Sequence, residues 1–377
     1  MKIVRLLQRS AWAMVLATLG VWPNCAAGRT HWVLVDHHIP DPNNIFFTDG
    51  RHGVLTGWWP WRNCAAIVWT RDGGRRWHSA KIPPLAKKAS LFGLWFSNPK
   101  LGWAGGLIRS GKVWWTGKFI LLQTHDGGRA WQIGTAPPGL HTNLSHIWFR
   151  PGGKHGRLLP SGGRIFWQTA NGGQTWQTVD VGHQFGSAAW IGSWRHIVLG
   201  GQRGAVLVST DAGKTWTKIS TGLKGPMAGI AAMSFLPGGQ VGWAVGGQGK
   251  ALRNGDWTQA DQPVILHTLN GGKTWTRQTP RRVPTGPFTT VRAISAQQAW
   301  VGSYLGYATA NPAGAMPWIL HTTDGGKTWH NTLRHVVSIH QLFFLNSLHG
   351  WALGGQGGSP YEPLAAAVLI LRIRHRP

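Results

Sequence analysis

Thr124-His-Asp-Gly-Gly-Arg-Ala-Trp131 is one of six copies of a single pattern: a hydroxyl residue, an Asp or Asn two positions on, a glycine pair and a tryptophan. The other copies begin at Thr70, Thr169, Ser209, Thr268 and Thr322 and end at Trp77, Trp176, Trp216, Trp275 and Trp329, with Ala212 replacing the first glycine of the fourth. Asp72, Asp126, Asp211 and Asp324 bring a carboxylate, while Asn171 and Asn270 keep the acceptor oxygen without the charge. An Asp or Asn side chain at such a place accepts backbone N–H bonds from the residues after it, and glycine adopts torsions that other residues resist. Each copy therefore reads as a hairpin turn, and its Asp or Asn as a structural group, not a catalytic one. The Trp opens the next strand and buries a large ring between neighbouring sheets.

Upstream of the boxes run apolar strands such as Val264-Ile-Leu-His-Thr268, before them strands such as Gly242-Trp-Ala-Val-Gly246, and before those a further apolar strand. One unit is thus four strands, A to D from the inner edge outward, with the Asp box at the C to D turn. Successive boxes start 54, 45, 40, 59 and 54 residues apart, and at that spacing the chain ends before a seventh can be completed. Yet Gln341-Leu-Phe-Phe-Leu345, Gly350-Trp-Ala-Leu-Gly354 and Ala367-Val-Leu-Ile-Leu-Arg-Ile373 supply strands A, B and C of a seventh unit. The missing strand D is His31-Trp-Val-Leu-Val-Asp36, which has no A, B or C before it. Pairing these two ends closes a ring and leaves no terminal edge unpaired. The expectation is an all-β fold, a seven-bladed β-propeller of four-stranded blades occupying residues 28–377.

Composition agrees with strands and tight turns, since 54 Gly, 22 Pro and 26 Trp accompany only 13% charged residues and no long stretch of the mature chain has a helical apolar period. Lys2, Arg5 and Arg9 precede an apolar run from Ala11 to Trp22, followed by Cys25-Ala-Ala27, which reads as a secretory signal peptide over residues 1–27. The expected destination is the periplasm, or the thylakoid lumen of a photosynthetic cell. Cleavage would leave Cys64 as the only cysteine, a small buried residue with no disulfide partner. The chain has 38 Lys and Arg against 11 Asp and Glu, a formal charge of +27. That charge favours acidic partners, or else marks adaptation to an acidic compartment in which carboxylates would be protonated. The partner classes are a protein, an anionic lipid surface or a glycan surface; nucleic acid is not expected for an exported chain, and a monomer is.

Connections alternate between the two faces of a propeller, so the Asp boxes share one face with the A to B turns, and the B to C and D to A connections share the other. The B to C connections are the elaborated ones. They hold Trp58, Trp59, Trp61 and Arg62 in blade 1, Ile108 to Lys118 with Trp114 and Trp115 in blade 2, Gln248 to Pro263 with Arg253, Asp256, Trp257 and Asp261 in blade 5, Tyr304 to Pro317 in blade 6, and Gln356 to Ala365 in blade 7. In or beside the D to A connections stand Lys81, Lys87, Lys88, Lys218, Lys224, Arg277, Arg281, Arg282 and Arg334. Interleaved indoles and cations suit an acidic, partly apolar partner. Arg292, on the predicted inner strand Thr290 to Ser295, is a cation beside the central channel, where burial demands a reason.

Asp-box propellers include glycoside hydrolases, which use paired carboxyl groups or substitutes for them. With the box residues set aside, the remaining acids are Asp36, Asp41, Asp49, Asp180, Asp256, Asp261 and Glu362, and only the last three lie in elaborated loops. A sialidase-like set would have to come from Tyr304, Tyr307 or Tyr361 with Glu362, without the Arg-Ile-Pro motif of that family. No catalytic residue, cofactor or metal is therefore assigned, and His267 and His321, at equivalent strand C positions, read as repeat packing. A glycan-binding propeller with Trp58, Trp59, Trp114 and Trp115 as stacking platforms stands as the alternative function.

The succession Gly-Trp-Ala-Val-Gly, Ile-Leu-x-Thr and Asp-Gly-Gly-Lys-Thr-Trp, repeated behind a signal peptide, resembles the photosystem II stability and assembly factor family of lumenal propellers. The resemblance covers nearly all of the mature chain. It implies a non-enzymatic chaperone that binds an immature membrane-embedded subunit through an arginine-rich patch. Thr289-Thr-Val-Arg-Ala-Ile-Ser295 is similar to the inner-strand pattern of that family, which makes Arg292 the residue that best carries over. The charge, the Trp-rich insertions and the sparse acids depart from a photosynthetic member, so the resemblance implies an exported binding scaffold before photosystem assembly itself.

Overall fold

Each Asp box closes its turn with two side chains acting together. In the blade 2 box, Thr124 Oγ1 donates to Asp126 Oδ1 at 2.8 Å and accepts from Gly128 N at 3.1 Å. Asp126 Oδ1 also accepts from Arg129 N and Ala130 N, both at 3.0 Å. The turn requires Gly127 and Gly128 at φ +78° and +91°, the left-handed region. The pattern recurs at Asp72, Asn171, Asp211, Asn270 and Asp324, so the amide oxygen of Asn replaces the carboxylate without loss of the turn.

A computed structural model describes residues 29–36, 39–59, 62–110, 113–201, 203–225, 228–251, 260–280, 287–303, 318–332, 338–356 and 365–374. These residues form seven blades from 27 strands rather than 28. The difference is the strand Gln177–Ile191, which pairs with blade 3 near Asp180 and with blade 4 from Phe185 onward, serving as strand D of one and strand A of the next. Blades 3 and 4 consequently share one seven-stranded sheet, and the other five blades are separate four-stranded sheets. The ring closes as the sequence predicts: Arg29–Asp36 pairs antiparallel with Ala365–Arg374, from Arg29 opposite Arg374 to Asp36 opposite Val368.

Among the described residues there are seven apolar clusters, one at each junction between consecutive blades. Val54 and Ile67 of blade 1 meet Leu91, Leu122 and Trp131 of blade 2, and the last junction joins Leu353 and Val368 of blade 7 to Leu55 and Val68 of blade 1. Two sets of tryptophans build these junctions. Trp103 and Trp351, second and third in their B strands, stack on Phe149 and Phe47 of the following blade at 3.6 and 3.7 Å between ring centroids. The Gly before each Trp has a steric reason: a Cβ on Gly102 would lie 2.6 Å from the ring of Phe96.

The box tryptophans form the second set, as their repetition predicts. Trp77, Trp131, Trp176 and Trp275 stand edge-on to the last Phe of strand A in their own blades, at 5.9 to 6.2 Å. Blade 7 has no box, and there Trp32 takes the same place against Phe344 at 6.0 Å. Neighbouring inner strands are also laced by side chains: Ser234 Oγ accepts from Ala293 N, Thr290 Oγ1 from Leu342 N, and Gln341 Oε1 from Ile45 N, at 2.8 to 3.1 Å.

Candidate docking face and central channel

On the face of the B to C and D to A connections, blade 1 ends its B strand Gly53–Trp59 with the predicted indoles. Both are half-buried, Trp58 against the junction of blades 1 and 2 and Trp59 against that of blades 7 and 1. Their rings are thus committed in part to packing, and Arg62 lies over Trp59 at 6.0 Å. The connection to blade 2 ends in a 3-10 turn, Pro84–Lys88, begun by the fixed torsion of Pro84 and anchored by fully buried Ala86. Ala86 enters the same cluster that Trp58 covers. The fold therefore brings Trp58 to the turn that carries Lys87 and Lys88, both exposed, together with the exposed apolar side chain of Leu85.

Two expectations about this face change. The Ile108 to Lys118 stretch of blade 2 is not a loop: strands Gly102–Ser110 and Val113–Thr124 run through it as an extended hairpin, placing Trp114 and Trp115 within a strand whose side chains there are not described. Lys81, grouped by sequence with the D to A cations, lies beside the blade 2 box, donating its N–H to Arg129 O at 2.8 Å and accepting from Trp131 N. Trp61, Arg253, Arg281, Arg282 and Tyr304 fall outside the described residues, as do the signal-peptide residues 1–27, Tyr307, Tyr361 and Glu362.

Arg292 is not part of that patch. Strand A runs from the D to A connection toward the A to B turn, and Arg292 is second to last in Phe288–Ala293, hence at the Asp-box end. Its guanidinium lies 5.2 Å from the ring of Phe343 in the next blade, and Nε has no hydrogen-bond partner. Burial lowers its pKa. His146, on the inner strand Leu144–Phe149 of blade 3, is pushed down to about 4 by burial and then by the field of Arg292, and its Nδ1 is also unpartnered. Blades 3 and 6 are not neighbours, so this coupling crosses the central channel.

A second buried cation escaped the sequence reading. Arg157 occupies in blade 3 the position that Trp103, Trp243, Trp300 and Trp351 hold elsewhere, and it is fully buried. Its Nη2 donates to Trp194 O at 2.8 Å and to Ala212 O at 3.1 Å, and the guanidinium lies 4.1 Å from the Trp194 ring. Burial lowers its pKa to about 10. Aligning the B strands on Gly102-Trp103, Gly242-Trp243, Ala299-Trp300 and Gly350-Trp351 would have singled it out, as Arg157 is the one cation at a position otherwise held by Trp, Val54 or Val198.

Of the acids outside the boxes, Asp49 pairs with His52 at 2.8 Å and Asp180 with Arg164 at 2.7 Å, both exposed. Burial raises the pKa of Asp41. No group of three or more His, Cys, Asp and Glu among the described residues is placed to hold a metal. His267 and His321 stack on Trp243 and Trp300 at 4.4 and 3.9 Å, which is the repeat packing their equivalence predicts. Cys64, expected to be buried, is half-buried at the start of its strand, where the elaborated end of blade 1 opens toward solvent. A cavity of about 470 Å³ lies on the opposite face, between blades 1 and 2, bordered by Asp49, His52, Lys100, His125 and Arg129.

Residues 207–218 match the BNR/Asp-box repeat. Solved structures of the same fold include YCF48 bound to D1 peptide, at 18% identity and a TM-score of 0.63 over 94% of this chain and 98% of that one. YCF48 from Cyanidioschyzon merolae follows at 17% identity and 0.60, covering 92% and 99%. The GH74 xyloglucanase from Xanthomonas campestris is similar at 13% identity and 0.59, covering 89% of this chain and 55% of the enzyme. No curated protein matches the chain.

Proposed function

We propose that the chain is an exported, non-enzymatic scaffold that docks an acidic segment of a protein partner, a membrane protein or its assembly intermediate, on the face of the B to C and D to A connections. The observation that carries this reading is the patch on the turn Pro84–Lys88. A rigid turn presents two exposed ammonium groups and an exposed leucine beside an indole, and no described ion pair involves Lys87 or Lys88. Exposed lysines attract an acidic chain over a Debye length, and the apolar groups give it somewhere to stay. A propeller of this fold has been seen with a peptide bound, which supports peptide docking as a use of the architecture. The non-enzymatic part rests on supply, because box carboxylates are spent on turn hydrogen bonds and Asp49 and Asp180 on ion pairs.

The test is affinity capture from solubilised membranes at physiological salt, with the wild type compared to a variant carrying Lys87→Glu, Lys88→Glu, Arg281→Glu and Arg282→Glu. Recovery of one membrane protein should fall at least about tenfold, roughly 1.4 kcal/mol of binding. Undiminished recovery overturns the reading.

A further inference from the structure

We propose that the cavity between blades 1 and 2 binds a free aromatic amino acid of tryptophan type, in the space that a side chain of the protein itself fills at other junctions. The cavity lies on the Asp-box face, so this site is independent of the docking patch and of the reading built on it.

In register, Val54 of blade 1 occupies the position of Trp103, Trp243, Trp300 and Trp351. Between blades 7 and 1, Trp351 stacks on Phe47 at 3.7 Å and donates its indole N–H to Gly73 O, the carbonyl of the first box glycine, at 2.9 Å. Arg157 makes the equivalent bond to Ala212 O between blades 3 and 4, at 3.1 Å. Between blades 5 and 6, Trp243 donates to Gln278 Oε1 at 3.2 Å, and Gln278 Nε2 donates to Gly325 O at 2.8 Å. Val198 in blade 4 also lacks a ring, and there Trp190 packs on Phe235 at 4.5 Å instead. The counterpart of Trp190 in blade 1 is the smaller Phe46, 5.7 Å from Phe96 and tilted to it.

Val54 therefore has no ring to lay on Phe96 and no donor for Gly127 O, the blade 2 counterpart of Gly73 O. Val54, Phe96 and Gly127 all border the cavity of about 470 Å³, a volume within the range of small-molecule sites, about 300–1,000 Å³. An indole entering there would repeat the stack of Trp351 on Phe47 and offer its N–H to Gly127 O.

The same rim carries the two charges that an amino acid needs. Lys100 and Arg129 form no ion pair among the described residues, and the Arg129 guanidinium rests 5.1 Å from the Trp69 ring. Asp126 uses only Oδ1 in its box, because Ala130 stands where Thr215 and Thr328 donate to the second oxygen of Asp211 and Asp324. Its Oδ2 is left for an ammonium group, and Lys100 and Arg129 for a carboxylate. Asp49, also in the wall, is engaged by His52 at 2.8 Å. A rim of both signs selects a zwitterion over an amine or an acid alone.

Titration followed by saturation-transfer NMR, with L-tryptophan as the probe, tests the site. The wild type should bind it, and should bind tryptamine and indole-3-propionate, each lacking one of the two charges, at least about tenfold more weakly. Val54→Trp, which fills the space with the protein's own ring, should abolish binding. If that variant does not fold, Lys100→Ala with Arg129→Ala, two exposed positions, should weaken tryptophan at least about tenfold. No binding by the wild type up to the solubility limit, or undiminished binding by a folded variant, overturns the proposal. Tryptamine or indole-3-propionate binding as tightly as tryptophan overturns the assignment to an amino acid.

Discussion

Blade 2 and blade 7 solve the same problem in opposite ways. Blade 2 takes all four strands from consecutive sequence, and its strand D is only Gln132–Ile133. The Asp126 box fixes the turn, and Trp131, 4% exposed, donates its indole N–H to Gly128 O at 2.9 Å. Blade 7 has no box, and its strand D is the eight-residue Arg29–Asp36, drawn from the far end of the chain. A local turn with a defined hydrogen-bond set lets strand D shrink to two residues. Without that turn, the ladder itself must hold the strand and offset the entropy of closing a very long loop. Trp32 keeps the packing role of a box Trp, and its indole N–H has no partner, as at the box residues Trp77 and Trp329 but unlike Trp131.

Removing residues 29–36 should break the comparison outright. The loss exceeds any single substitution, beyond about 5 kcal/mol, and strand Ala365–Arg374 is left as an open edge that invites association with other copies. Calorimetry and light scattering would read a much lower midpoint and larger species. If the midpoint is retained and the protein stays monomeric, the strand does not close the ring.

Next in size, Trp131→Ala should cost about 3–5 kcal/mol, as for other fully buried aromatic truncations. Trp32→Ala, at a half-buried site, should cost about half as much; denaturant titration of both variants ranks them, and an equal or larger loss at Trp32 would reverse the ranking of local and terminal closure.

The boxes themselves can be graded. Asp126→Ala leaves Arg129 N and Ala130 N without their acceptor and should cost about 1–2 kcal/mol. Ala212, at φ +72° where the other boxes have glycine, is strained; Ala212→Gly should gain about 1 kcal/mol. Denaturant midpoints that move the other way would show that these turns are set by tertiary packing and not by local torsions.

The pH dependence supplies a further test. Asp211 is held down to about 2 by hydrogen bonds from Thr215, and Asp324 also to about 2, where bonds from Thr328 outweigh burial. Depressed carboxylates stabilise the fold above the unfolded value near 3.8, and that contribution disappears as pH falls from there to about 2. His146 and His321, both lowered chiefly by burial to about 4, act earlier. The unfolded chain takes up their protons first, so stability declines as pH falls from about 6.5 to about 4. Thermal midpoints between pH 7 and 2 should show both declines, the lower one reduced by Asp324→Asn, which keeps the turn oxygen.

Much of the ring was legible because the boxes are local and repeated. Six turns announced six blades, and a lone strand at the N-terminal end with three strands after the last box announced the seventh. What sequence could not supply depended on continuity and level. Nothing in Gln177–Ile191 marks one strand shared by two blades, because its glycines at 182 and 186 look like ordinary breaks. The turn Pro84–Lys88 was visible only as a basic linker, since its attachment through Ala86 depends on a cluster assembled from two blades. Arg292 was rightly assigned to an inner strand but grouped with cations at the wrong end, because a residue list carries no height along the channel. His146 gave no signal at all, since its partner in space lies three blades away.

The pairing of Arg29–Asp36 with Ala365–Arg374 also orders events in time. The first strand of the ring to leave a ribosome and the last are mutual partners, so six blades can form while the seventh is only a pair of unmatched edges. Until the final strand arrives, the molecule is an open arc held by its junctions. Joining the two termini and cutting the chain at a box would convert this late step into a local one, and such a circular permutant should complete its ring without waiting for its end.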